Sequence, residues 1–193
     1  SLKFAAEQFN QPLTDEDAKS IIGLGLPEVA QVLFPKVPEL HEQLLKCYGD
    51  HYVEHSKGDV WFDGVAKMLQ ELQDLGVQLA VATGKSRKGL DRVLAQTQST
   101  HLFRATRAAS ETKSKPDPLM LAEILAEIEV NAENAIMVGD TSYDLEMAKN
   151  IAMPRFGVIY LLHISVFLIF YFLLCIVQNV EELHAFLVAQ VKA

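Results

Sequence analysis

Ala135-Ile136-Met137-Val138 is a run of four apolar residues that stops abruptly at Gly139-Asp140. An unbroken apolar run of this length reads as a strand buried on both faces, as in a parallel sheet. Thr141-Ser142-Tyr143-Asp144 follows, and Leu145, Met147 and Ala148 among polar residues then read as the start of a helix. In an open α/β sheet ligands bind outside the carboxyl ends of the strands, where Asp140 would sit. Asp144, in the first helical turn, can reach back to the same place. Two hard carboxylates at a strand end suit Mg²⁺, which takes one or two protein carboxylates and keeps several waters. The alternative reading is local: Asp140 caps the helix and Asp144 favours its N-terminal dipole.

The chain has 193 residues, enough for a real core as one domain or one domain with a smaller insert. A net charge of −8, with no basic stripe, argues against nucleic acid as the main partner. Cys47 and Cys175 lie far apart with no CxxC, which points to a reducing compartment and no zinc ribbon. No signal peptide is visible, so a cytoplasmic location is expected. The chain opens on Ser1 rather than Met, and we read it as a fragment of a longer protein.

Residues 1–57 read as helical throughout. Leu2, Ala5, Ala6 and Phe9 share one face ahead of Pro12, and Thr14 with Asp17 resembles a capping box for a helix carrying Ala18, Ile21 and Ile22. Gly23 and Gly25 break that helix, Pro27 opens the next, and Leu40, Leu44, Leu45, Tyr48 and Tyr52 stripe a longer one. His51 and His55 are spaced i, i+4, which suits either a metal with a third ligand or two solvated helix residues.

From residue 58 onward strand and helix patterns alternate. Val65, Met68, Leu69, Leu72 and Leu75 predict a helix ending at Gly76, and Val77–Ala82 a strand leading into Thr83-Gly84-Lys85-Ser86. A helix with Leu90, Val93 and Leu94 follows, then a weaker strand over Phe103–Ala109 and the loop Lys113-Ser114-Lys115-Pro116-Asp117-Pro118. Met120 to Ile128 make the next helix. Thr83, Lys115 and Asp140 each follow a predicted strand and are 32 and 25 residues apart, each about one βα repeat. Three polar residues at successive ends of one parallel sheet are expected to converge on one pocket.

Their chemistry suits a phosphoryl group. Thr83 offers a hydroxyl, and the amides of Gly84 and Lys85 open a helix N-terminus fit for phosphate oxygens. Lys115 offers a point charge, and Asp140 would hold the metal that screens the rest. Taken singly, Thr83 also reads as a helix cap, Lys115 as a solvated surface residue and Asp140 as a turn.

Ala82-Thr83-Gly84, Lys115-Pro116-Asp117-Pro118 and Gly139-Asp140-x-x-x-Asp144 resemble the second, third and fourth motifs of the haloacid dehalogenase superfamily, in its phosphoglycolate-phosphatase-like branch. Ile22-Gly23-Leu24-Gly25-Leu26 resembles that branch's cap, and Trp61-Phe62-Asp63-Gly64-Val65 its return to the core. The likeness implies a Rossmann-like parallel-sheet core over 58–193 with a small helical cap over 1–57. It also implies hydrolysis of a small phosphorylated metabolite through an aspartyl-phosphate, with a second aspartate as general acid and base. By motif position, Thr83 and Gly84 would bind the transferring group, Lys115 balance its charge, and Asp140 with Asp144 organise Mg²⁺.

Two departures accompany the resemblance. The family's first motif, an apolar strand ending in Asp-x-Asp-Gly-Thr, should precede the cap and has no match in the chain. Neither Asp15-Glu16-Asp17 nor Asp63, which follows the cap, has the right context to replace it. In this fold that strand lies between those ending at Thr83 and Asp140, so its loss is expected to leave two unpaired inner edges and an inactive chain. The second departure is Phe156–Val177, nearly free of polar residues apart from His163 and Ser165. It reads as strand-like pieces buried in the core, while its length and hydropathy also fit a membrane span and a garbled reading of the gene is a third option. Three functional classes therefore stand together: an incomplete phosphatase, a phosphate- or partner-binding remnant, and a phospho-receiver. The last orders its Asp, Thr and Lys differently.

Overall fold

The structure, a computed structural model, describes residues 1–56, 61–158, 176–177 and 179–192. Four helices come first: α1 (Leu2–Gln8), α2 (Asp15–Ser20), α3 (Leu26–Leu33) and α4 (His41–His55). Around α1, α3 and α4 the core is Ala6, Phe34 and Leu44, with Phe9, Leu13, Leu33, Val37 and Leu40 packed against it, and α2 buries none of its residues. The Thr14–Asp17 capping box forms as the sequence predicts. Helix α2 ends at Ser20, so Ile21 and Ile22 fall outside it. The chain turns there because Gly23 takes φ +104°, a left-handed conformation that suits glycine.

The remainder alternates: α5 (Val65–Asp74), β1 (Leu79–Thr83), α6 (Arg87–Gln96), β2 (Phe103–Ala108), α7 (Leu119–Ile128), β3 (Met137–Gly139), α8 (Ser142–Lys149), β4 (Arg155–Val158), β5 (Ile176–Val177) and α9 (Val180–Lys192). The predicted strands are present with their bounds moved by one or two residues, β1 starting at Leu79 rather than Val77. Among the described residues all pairings are parallel, β1 with β2 and β3 with β4 with β5.

Among the described residues no strand pairing joins β1 to β3, so the strands form two sheets of two and three. Helices hold the sheets together. Helices α5 and α9 bring Met68, Leu72, Val180 and Leu183 against Leu79 of β1 and Val158 of β4. Helices α7 and α8 bring Met120, Leu121 and Met147 against Ala82 of β1 and Met137 of β3. Leu79 and Ala82 differ by an odd number of positions and point to opposite faces, so helices cover both faces of a Rossmann-like layer. Phe156 is fully buried at the centre of β4, its ring 4.0 Å from that of Phe186 in α9. Coverage is incomplete: Ala80 of β1 is exposed and Val138 of β3 retains 36% of its surface, unusual in parallel strands.

The apolar run is strand at both described ends, in β4 and β5. Its middle, residues 159–175, lies outside the described residues, as do His163 and Cys175. Among the described residues no helix is long and apolar enough to cross a membrane.

Candidate active site

Thr83 is the last residue of β1, and its Oγ1 accepts a hydrogen bond from the Lys85 amide at 3.2 Å. Helix α6 starts at Arg87 with Ser86 as N-cap, whose hydroxyl accepts from the Gly89 amide. The turn of Gly84 and Lys85 thus precedes the helix instead of opening it, and the Lys85 amide is already engaged. Gly84 sits under the Gly23-Leu24-Gly25 loop, and a Cβ there would lie 2.7 Å from the Leu24 carbonyl oxygen. Packing this tight admits only glycine.

Lys115 follows β2 on a loop held by long-range contacts, two of them at the site. The buried Ser114 hydroxyl accepts from the Gly25 amide at 2.8 Å, and Lys115 Nζ donates to Asp144 Oδ1 at 2.5 Å. Lys115 keeps 7% of its surface and Asp144 4%. Asp117 turns outward: its Oδ1 accepts from the Leu119 amide and its Oδ2 pairs with Lys113. The Leu119 hydrogen bond, then Lys113, holds its carboxyl below the usual range.

Asp140 and Asp144 lie just past β3 and in the first turn of α8. The N-cap of α8 is Thr141, not Asp140: its Oγ1 accepts from the Asp144 amide, while Asp144 Oδ2 accepts from the Thr141 amide and hydroxyl at 3.1 and 2.7 Å. Gly139 makes room for this, since a Cβ there would lie 2.3 Å from Asp144 Cβ. Both Asp144 oxygens therefore have protein donors. Asp140 is half-buried, and burial, then the negative charge of Asp144, raises its pKa above the ordinary aspartate value; its own amide and Lys115 offset this in part.

Thr83, Gly84, Lys115, Asp140 and Asp144 line one cavity of about 1220 Å³ shared by the strand ends and the helical segment. The hydroxyl, ammonium and carboxylates expected at neighbouring strand ends are thus brought together. A divalent cation fits the donor set: Asp140 is a desolvated carboxylate facing this cavity beside a second one, and a positive charge would relieve both costs. Among the described residues no group of three or more His, Cys, Asp or Glu gathers as a metal cluster, so most ligands would come from water or phosphate.

The remaining acidic and imidazole residues singled out in the sequence lie elsewhere. Asp15 pairs with Lys3, Asp17 closes its capping box and Asp63 is exposed. His51 and His55 stack with ring centroids 4.0 Å apart, their Nδ1 atoms engaged with Ser1 Oγ and the His51 carbonyl. The sequence reading missed Thr141 and Ser114. Thr141-x-x-Asp144 has the same pattern as Thr14-x-x-Asp17 and was legible, whereas the Ser114–Gly25 contact joins residues 89 apart and left no local signal.

Residues 1–158 match the family model for haloacid dehalogenase-like hydrolases. The chain belongs to this family. Within it, the chain is 32% identical over 125 residues to a phosphoglycolate phosphatase of Vibrio cholerae serotype O1, covering 64% of this chain and 55% of that protein. It is 28% identical over 151 residues to tyrosine-protein kinase PtkA of Mycobacterium tuberculosis, covering 77% and 51%. The chain spans about half the length of these curated relatives. The fold of a hydrolase from Pseudomonas syringae superposes with a TM-score of 0.85 at 16% identity, over 97% of this chain and 89% of that one. A haloacid dehalogenase-like fold accounts for the parallel strands and flanking helices, and sets the receiver reading aside.

Proposed function

We propose that the chain belongs to a cytoplasmic Mg²⁺-dependent phosphatase of small phosphorylated metabolites, similar to phosphoglycolate phosphatase. The observation that carries this is the gathering of Thr83, Lys115, Asp140 and Asp144 around one cavity at the carboxyl ends of parallel strands. Thr83 and Gly84 bind oxygens of the phosphoryl group, and Lys115 neutralises its charge. Asp140 and Asp144 hold Mg²⁺, which screens the phosphate as the bond to the leaving group breaks. Residues 1–57 act as the cap and 58–193 as the core.

In this reading the attacking aspartate lies on a further parallel strand, seated between β1 and β3. The support is structural: the facing edges of β1 and β3 have no strand partner among the described residues, and Val138 there is 36% exposed. The cavity also reaches Ala82 on one strand and Val138 on the other. A chain without that strand lacks the nucleophile and does not turn over.

A second reading, a non-catalytic phosphate- or partner-binding remnant, draws on the closed Lys115–Asp144 pair, which already neutralises the site's buried cation. One experiment separates the two. Hydrolysis of 2-phosphoglycolate and of a generic aryl phosphate is measured, with and without Mg²⁺, for this chain and for a version preceded by an apolar strand ending in Asp-x-Asp. The phosphatase reading expects Mg²⁺-dependent turnover only in the longer version; the remnant reading expects none in either.

A further inference from the structure

Helix α4 carries two apolar faces. Leu44, on one of them, belongs to the core formed with α1 and α3. Leu45, Tyr48, Gly49, Tyr52 and Val53 follow the spacing i, i+3, i+4, i+7, i+8, and all five line the cavity at the strand ends. A helix that is apolar on a second side ordinarily buries that side, yet Val53 keeps 58% of its surface. Ile22, in the turn between α2 and α3, lines the same cavity and is 40% exposed. At Gly49 a built Cβ would meet nothing within 4 Å, so no neighbour in the chain requires a glycine there. Glycine inside a helix costs stability, and one use that offsets the cost is close approach of a ligand to the backbone.

The charged groups near this stripe are engaged within the protein. Lys46 and Asp50 pair with each other at 2.6 Å, and Glu54 lies 3.9 Å from His55 Nδ1. Lys85 and Arg92 each lie 5.3 Å from the ring centroid of Tyr52. The groups suited to a phosphoryl oxygen or a cation, Thr83, Gly84, Lys115, Asp140 and Asp144, come from the strand ends instead of from α4. One side of the cavity thus suits an anion and its counter-charge, and the other offers exposed carbon. Apolar surface displayed in a concave lining marks a place where a ligand buries it.

We infer that Leu45, Tyr48 and Val53 of α4, with Ile22, seat an apolar leaving group, and that Gly49 leaves the space it enters. The preferred substrate is a phosphomonoester of an alcohol with a short alkyl or aryl body. Its phosphate lies at the strand ends and its carbon body against α4, where contact removes apolar surface of both from water. The inference rests on the phosphatase reading and adds the chemical class of the leaving group.

The test is binding, which needs no nucleophile. Calorimetry in the presence of Mg²⁺ compares inorganic phosphate, methyl phosphate and n-butyl phosphate on this chain. The expected result is butyl phosphate binding about 10- to 60-fold tighter than methyl phosphate, or about twofold to fourfold for each added methylene. Gly49→Leu, which fills the space in front of the helix, and independently Val53→Asn should each bring that ratio below about threefold. Both should keep native circular dichroism and an unchanged affinity for methyl phosphate. Val32→Asn, at an exposed position of α3 outside the cavity lining, makes the same change and should leave the ratio as it was. A ratio near one in the original chain overturns the apolar seat alone. So does a ratio that survives both α4 variants; its fall in Val138→Asn would then place the alkyl chain between the strands. Failure of all three phosphates to bind overturns the phosphatase reading as well.

Discussion

Lys115 Nζ sits 2.5 Å from Asp144 Oδ1, with both side chains almost wholly buried. Two charges taken out of water attract strongly, yet each carries a large desolvation cost, so the pair is far better intact than halved. Lys115→Met or Asp144→Leu alone is expected to destabilise the fold by about 3–5 kcal/mol. The double variant should lie closer to the original chain than the sum of the single losses, because no uncompensated charge remains. Urea unfolding of all four proteins checks this, and simple additivity would argue against a coupled pair.

The same carboxylate explains an expected intolerance at Gly139. A methyl group there would meet Asp144 Cβ at 2.3 Å and displace the capping box of α8. Gly139→Ala should cost about 1–3 kcal/mol or more, as overpacking does. Gly49, in the middle of α4, has nothing within 4 Å of a built Cβ. Gly49→Ala should therefore stabilise by about 0.5–1 kcal/mol through the unfolded chain's lost freedom. Thermal melts showing the same sign at both positions would contradict this account.

Asp140 gives a pH dependence whose sign can be worked out. Burial, and next the charge of Asp144, raises its pKa in the folded protein. Between the ordinary carboxylate pKa and the raised one, the folded state holds more protons than the unfolded chain, so this contribution to stability falls as pH rises through the window. Asp140→Asn cannot ionise and should melt higher than the original chain at neutral pH. That advantage should vanish below about pH 3, where the aspartate is protonated in both states. A difference in melting temperature that does not change with pH would mean that Asp140 ionises normally.

Mg²⁺ should reverse that order if the carboxylates hold it. Binding to the folded state adds about 1.4 kcal/mol at free metal roughly tenfold above Kd. The original chain should gain this in melts run with Mg²⁺, and Asp140→Asn should not. Equal gains in both would place the cation elsewhere.

Thr141 joins cap chemistry to site geometry. Its hydroxyl accepts from the Asp144 amide and donates to Asp144 Oδ2 at 2.7 Å. Thr141→Ala should cost about 1–2 kcal/mol, as lost N-caps do. Thr141→Ser, which keeps the oxygen, should recover most of it. If the two variants melt alike, the hydroxyl contributes little and the position is held by packing.

The elements were legible in the sequence because their causes are local. Apolar runs at Val77–Ala82 and Ala135–Val138, the helical stripes and the Thr14–Asp17 box all act within a few residues. The gathering of Thr83, Lys115 and Asp140 was legible as well, since successive ends of parallel strands share one side. What the sequence left open was which partner each group would meet there. That Lys115 spends its charge on Asp144, that Ser114 takes the amide of Gly25, and that Lys85 and Arg92 share the ring of Tyr52 depend on contacts between residues 29 to 89 positions apart for the hydrogen bonds. Such contacts leave no periodicity behind. The order of residues determined the strands, the helices and the side of the sheet where polar groups collect; only the packed chain, by bringing distant backbones within hydrogen-bond reach and stripping their water, decided which charges are paired and which face the cavity.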